Sequence, residues 1–211
     1  MFDIYGKYTG AVIYSDICES EALSQLYDLC NHPIFEGARI RIMPDVHAGA
    51  GCTVGTTISM KRKAVIPSIV GADIGCGVYT VIFESGEIDY KALDDFIISN
   101  IPCGMAIRNS VHHRMSNELK REIRNLCEAL KMYRSEQSFI RSCGSLGGGN
   151  HYIEVGLNED GRYSLSIHTG SRGLGKCVAE YFSDKAKAYI AERGITGINR
   201  NMPYLDDERY I

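Results

Sequence analysis

An α+β fold, with mixed sheets and helices around a central glycine-loop metal pocket, is predicted by three observations. Short alternating or continuously apolar runs, typical of strands, recur from Lys7 to His168. Several of them lead into glycine-rich loops that carry Asp, Cys or His, where tethered side chains can converge on one cavity. Between them lie helical runs with apolar residues three and four apart. The 211 residues are enough for a sizeable core and are read as one domain, 1–211.

Taken in order, Lys7 to Tyr14 mixes β-branched and aromatic residues around Gly10, as a strand or hairpin arm does. Ser20 is expected to cap a helix that buries Leu23, Leu26 and Cys30 and stops at Asn31-His32-Pro33, with His32 a loop residue. Arg39 to Met43 alternates as a half-buried strand and runs into Pro44-Asp45-Val46-His47-Ala48-Gly49-Ala50-Gly51. Asp45 and His47 therefore stand at a strand end, although an Asp-capped turn with a satisfied loop histidine explains the pair equally well. Thr53 to Met60 reads as a further strand, and the apolar run Ala64 to Val70 as one buried on both faces.

Next comes Gly71-Ala72-Asp73-Ile74-Gly75-Cys76-Gly77, followed by strand-like Val78 to Phe83. Neither Asp73 nor Cys76 needs glycine neighbours to fold, whereas an ion or phosphate approaching the main chain does, because a missing Cβ permits close contact and positive φ. Asp89 is expected to cap a helix to Asn100 with Leu93, Phe96 and Ile97 buried, ended by Pro102 and Gly104. A longer helix from Ser116 carries Leu119, Ile123, Leu126, Leu130 and Tyr133 on one face. Its charged side reads first as a solvated face, and Arg108, His112, His113 and Arg114 just upstream leave room for a local RNA-binding patch.

Ser142-Cys143-Gly144-Ser145-Leu146-Gly147-Gly148-Gly149-Asn150-His151 is the second singular stretch. Consecutive glycines weaken a helix or strand, but they can form a nest of N–H groups for a phosphate. The strand-like Tyr152 to Val155 that follows argues against a flexible linker. Tyr163 to His168 alternates strictly, so Ser164, Ser166 and His168 share the face opposite Tyr163, Leu165 and Ile167. Thr169 to Gly175, with Ser171 and Arg172, forms a plausible anion site at a helix start near Leu174, or Ser171 is simply a cap. That last helix, to about Arg193, is expected to bury Leu174, Val178, Tyr181, Phe182 and Tyr189.

Composition excludes some classes. With 45% apolar residues, 23% charged residues and a net charge of −3, the chain has ordinary globular character and no global attraction to nucleic acid. Eight cysteines without a Cys-x-x-Cys pair argue against a zinc ribbon or a disulfide framework. Neither a signal peptide nor an apolar run long enough to span a membrane is present, so a reduced, cytoplasmic setting is expected.

Asp73, Cys76, His151 and His168 together supply a carboxylate, a thiolate and two imidazoles, a reasonable set for a transition metal. By softness alone the metal would be zinc. Any one of them, taken singly, is explained as a buried free thiol or an unrelated histidine.

Met43-Pro-Asp-Val-His-Ala-Gly-Ala-Gly51, Gly71-Ala-Asp-Ile-Gly-Cys-Gly77, Leu146-Gly-Gly-Gly-Asn-His151 with Tyr152-Ile-Glu154, and His168-Thr-Gly-Ser-Arg-Gly173 closely resemble, in the same order, the RtcB family of tRNA-splicing and RNA-repair ligases. The resemblance runs from about residue 40 to 176 and implies an RtcB-like fold. It also implies a GTP-dependent RNA ligase that uses two manganese ions (Mn2+) and joins a 3′-phosphate or 2′,3′-cyclic phosphate end to a 5′-hydroxyl. It implies that Asp73 and His151 bind one ion and His168 the other, with Cys76 bridging both. Asn150, His151, Tyr152, Ile153 and Glu154 match the segment that touches the guanine nucleotide. The implied partners are tRNA halves or broken RNA, GTP, and an activating protein factor, with no membrane.

In that family the guanylated histidine and a further histidine ligand lie beyond the last of these motifs. The chain is accordingly read as the N-terminal portion of such a ligase, inactive as it stands, with the guanylated histidine expected downstream of Ile211. A metal-dependent RNA phosphoesterase and a non-catalytic metal- or GTP-binding module are the alternatives.

Overall fold

In a computed structural model of the protein, residues 1–71 and 74–210 are described; Ala72, Asp73 and Ile211 lie outside the described residues. The chain is a mixed α+β protein that divides into two compact units, Met1–Ala72 with Ala179–Ile211, and Asp73–Val178.

In the first unit, strands β1 (Phe2–Tyr5) and β2 (Gly10–Ile13) form a hairpin closed by the Gly6 amide on the Thr9 carbonyl at 2.9 Å. Helix α1 (Ser20–Cys30) then carries the chain to β3 (Arg39–His47), which pairs parallel with β2, and β4 (Val54–Ser59) adds antiparallel to β3. A helical crossover is what parallel neighbours require. The sheet order is β1-β2-β3-β4. Ile4, Ala11, Ile13, Ile40 and Ile42 alternate onto one face, where they pack with Leu26, Leu29 and Phe35.

Two local expectations give way in this unit. Glu19, not Ser20, is the N-cap residue of α1, and it makes no side-chain cap bond. In place of a strand over Ala64 to Val70, only Val65 bridges to Leu205, and α2 (Pro67–Val70) follows. Proline fixes φ and lacks an N–H, so Pro67 suits a first helical position and cannot donate to a sheet ladder.

His32 is a loop residue, as expected, and it is buried in the core. It is 1% exposed, its Nδ1 accepts the Ile34 amide at 3.2 Å, and its ring packs against Phe35 and Tyr204. The C-terminal segment supplies Met202, Tyr204 and Leu205 to the interior, with Val65 and Leu205 exchanging both backbone hydrogen bonds at 2.8 Å. Beside them Asp206 receives the Tyr189 hydroxyl at 2.5 Å and an ion pair from Arg62.

The second unit holds β5 (Gly77–Phe83), α3 (Tyr90–Asn100), α4 (Asn117–Ala129), α5 (Glu136–Ser142), β6 (Tyr152–Leu157) and β7 (Tyr163–Thr169). Helix α6 (Leu174–Glu192) begins here and continues into the residues of the first unit. The sheet is antiparallel throughout, in the order β5-β7-β6. Asp89 and Ser116 cap α3 and α4 as expected, accepting the Ala92 and Leu119 amides.

The α3 stripe is not buried. No α3 residue is, and Phe96 is 60% exposed. Helix α4 stops at Ala129, and Lys131 at φ 48° turns the chain, so Tyr133 leaves the predicted face. Met115, Ile123, Phe139, Ile140 and Cys177 form the core of this unit. Among the described residues no helix is long and apolar enough to cross a membrane.

Candidate functional site

The register of the second sheet creates the site. Strand β7 is central, and His168 near its end is flanked by Val78 of β5 and Tyr152 of β6. Both outer strands start at this level, so the residues just before them, Cys76 and His151, arrive beside His168. The Cys76 Sγ lies 3.3 Å from His151 Nε2 and 3.2 Å from His168 Nε2. The two rings are inclined at 63° with centroids 5.5 Å apart, and Tyr152 sets its ring edgewise to His168 at 5.5 Å.

Three of the four predicted ligands, Cys76, His151 and His168, are thus brought together. The fourth, Asp73, lies outside the described residues. Among the described residues no three His, Cys, Asp or Glu side chains are already disposed around one ion position. The geometry here is of two imidazoles reaching one exposed thiol.

The glycine loop is held in place and is not a linker. The Leu146 amide donates to the Pro102 carbonyl at 2.8 Å, and the Gly147 carbonyl accepts the Gly104 amide at 2.7 Å. Thr169 Oγ1 donates to the Leu146 carbonyl at 2.7 Å. Gly147 has φ 97°, and a Cβ there would run into the His151 ring and the Arg172 guanidinium. Glycine is therefore required on two counts: backbone conformation and the space that the His151 ring occupies.

The two polar residues of the expected anion site are engaged within the protein. Ser171 Oγ accepts the Gly175 amide at 2.7 Å, the capping role. Arg172, itself at φ 56°, donates to Ser145 Oγ at 3.0 Å and to the Gly104 carbonyl at 2.8 Å, bracing the glycine loop. Sequence named Thr169, Ser145 and Gly104 only as members of loops or as a helix end; their bracing roles come from contacts 23 to 68 residues away along the chain.

Of the nucleotide segment, Asn150, Tyr152 and Glu154 are exposed, while His151 and Ile153 are half-buried. Tyr152 and Glu154 share the sheet face of His168 and Ser166, where Ser166 Oγ meets Thr80 Oγ1 at 2.8 Å. In the first unit, Asp45 and His47 fall on β3 itself, at its bulged end, with His47 Nδ1 2.7 Å from the Asp45 carbonyl.

Comparison with known proteins agrees with the motif order. The family model described as tRNA-splicing ligase RtcB matches residues 25–209. The RNA-splicing ligase RtcB of Escherichia coli (strain K12) is 30% identical over 203 residues, covering 89% of this chain and 49% of that protein. The tRNA-splicing ligase RtcB of Thermococcus kodakarensis is 28% identical over 185 residues, covering 65% of this chain and 38% of that protein. An RNA-splicing ligase RtcB homolog of Entamoeba dispar is 28% identical over 214 residues, covering 76% and 40% respectively. The chain spans about half the length of the first of these relatives and less of the others. With most of its residues matched by the family model and its site motifs in the same order, the chain belongs to the RtcB family.

Proposed function

We propose that the chain carries the metal and guanine-nucleotide site of an RNA ligase that joins 3′-phosphate or 2′,3′-cyclic phosphate ends to 5′-hydroxyl ends with GTP as co-substrate. The observation that carries this reading is the convergence of His151 Nε2 and His168 Nε2 on the Cys76 thiol, in a chain of a family whose named relatives are RNA-splicing ligases.

The residues fit a divalent transition metal. A thiolate and two imidazoles are transition-metal donors, and the missing Cβ at Gly147 leaves His151 the space to face Cys76. Cys76, His151 and His168, with Asp73, would hold the ions. Manganese is taken from the family resemblance, whereas the donor set by itself favours zinc. The metal would supply positive charge to phosphoryl oxygens and polarise them.

The chain's own residues do the positioning. Arg172 ties Ser145 to Gly104, Thr169 holds Leu146, and the loop so fixed carries His151 to the sheet end. The ligating forms are the thiolate and neutral imidazoles, so loading releases protons and weakens as pH falls. Asn150 and Glu154, exposed on either side of Tyr152, offer an amide and a carboxylate to a guanine nucleotide.

The test is a titration of the chain with Mn2+ and GTP, alongside an assay on RNA halves ending in 2′,3′-cyclic phosphate and 5′-hydroxyl. Mn2+-dependent GTP binding lost in Cys76→Ala supports the reading. Phosphate release from RNA ends without GTP would place the chain among metal-dependent phosphoesterases, and GTP binding with no metal requirement would make it a nucleotide-binding module.

A further inference from the structure

The glycine loop has a basic cluster at its other end, inside the same unit. The Arg108 amide donates to the Arg141 carbonyl at 3.1 Å, and its Nη1 donates to the Gly144 carbonyl at 3.0 Å. A Cβ on Gly144 would stand 3.1 Å from His112 Cδ2 and 3.4 Å from Arg108 Cδ, so both side chains flank the residue that opens the loop. His112 Nδ1 accepts the Arg114 amide at 3.3 Å. The His112 and His113 rings stack with centroids 4.4 Å apart and planes inclined by 28°. Both His113 and Arg114 are exposed.

Among the described residues no carboxylate answers this charge. Among the described residues Arg108, His112, His113, Arg114 and Arg141 make no ion pair. On neighbouring α4 and α5, by contrast, Arg124 pairs with Glu136 at 2.9 Å and Arg121 lies near Glu122. Desolvation, and then the positive charge of His113, Arg108 and Arg114, hold the His112 pKa below its ordinary value, as uncompensated positive potential should. A chain of net charge −3 needs such a local patch if it is to meet a polyanion.

Unpaired guanidinium groups take phosphate oxygens, and a stacked, exposed imidazole gives an unpaired base a flat surface. A duplex hides its base faces and cannot use the second feature. We infer that Arg108, His112, His113 and Arg114, at the Gly144 end of the glycine loop, bind the backbone and a base of single-stranded RNA. Only the choice of RNA over another polyanion rests on the ligase reading above.

The test is fluorescence anisotropy of a short fluorescein-labelled oligouridylate with the chain, in EDTA and without GTP, at several salt concentrations. Arg114→Ala is expected to weaken binding and to make the log K against log salt slope less negative by about 0.7, one phosphate contact. His113→Ala is expected to weaken binding about tenfold. Lys63→Ala with Arg200→Ala, two exposed cations of the other unit, should leave it unchanged. Unfolding midpoints matching wild type confirm that the exposed substitutions leave the fold intact. Undiminished binding by both Arg114→Ala and His113→Ala overturns the inference, as does equal affinity for a blunt RNA duplex. Because neither metal nor GTP is present, the RNA site stands or falls here independently of whether the chain proves to bind them.

Discussion

The Cys76 Sγ and His168 Nε2 are 3.2 Å apart although 92 residues separate them, because antiparallel pairing of β5 with β7 sets Val78 directly opposite His168. The sheet register thus fixes the thiol–imidazole contact. Cys76→Ser should keep the fold and lower divalent-metal affinity more than about 100-fold, the upper range for losing a mere supporting partner. Co2+ titration provides the readout: wild type should develop a thiolate-to-metal charge-transfer absorption that the variant lacks. An equal band in both would remove Cys76 from the site.

Gly147→Ala should disable the same site from behind. Its Cβ would meet the His151 ring and the Arg172 guanidinium, and its φ of 97° is strained for any side chain. We expect a cost of about 1–3 kcal/mol in denaturant unfolding and loss of Co2+ binding. Gly86→Ala, where a Cβ would meet nothing within 4 Å, should change neither.

His32 makes the first unit acid-sensitive. Burial holds its pKa below the ordinary 6.5, so the unfolded chain binds a proton that the folded chain resists. Its stabilising contribution is complete above pH 6.5 and is lost as pH falls from there through the folded value. The unfolding midpoint should therefore drop as pH falls below 6.5, and less steeply in His32→Asn, which keeps an acceptor for the Ile34 amide. Parallel pH profiles for the two proteins would refute this assignment.

Leu205 anchors the C-terminal segment. It is 0% exposed, packs with Ala186 and Tyr189, and pairs with Val65 through the backbone. Leu205→Ala should cost about 2–5 kcal/mol, measured by urea unfolding of the chain. A change within error would mean that the segment is not part of the cooperative unit.

Much of this was legible in the residues. Caps at Asp89 and Ser116, the alternation of Arg39 to Met43 and of Tyr163 to His168, and the strand after the glycine loop all depend on local spacing, and the structure has them. The misreadings were cases where local pattern competed with something else. Ala64 to Val70 is apolar enough for a strand, but Pro67 removes a ladder donor and opens α2 instead. The α3 stripe has helical spacing, yet Phe96 is 60% exposed, because spacing says which residues share a face and not whether anything covers it.

The sequence by itself singled out the residues expected to carry chemistry: Asp73, Cys76, His151 and His168, in glycine loops or at strand ends. It also determined the family, since four short motifs in order specify it more tightly than composition can. What only the tertiary structure decided is the pairing order β5-β7-β6, which puts Cys76 and His151 on opposite sides of His168. It also decided that Gly147 is glycine for the sake of the His151 ring, and that Arg172 braces Ser145 and Gly104. Alternation within a strand follows from backbone geometry and is local. Strand order and the space that a missing Cβ leaves depend on residues far away in the chain, and these exist only once it has folded.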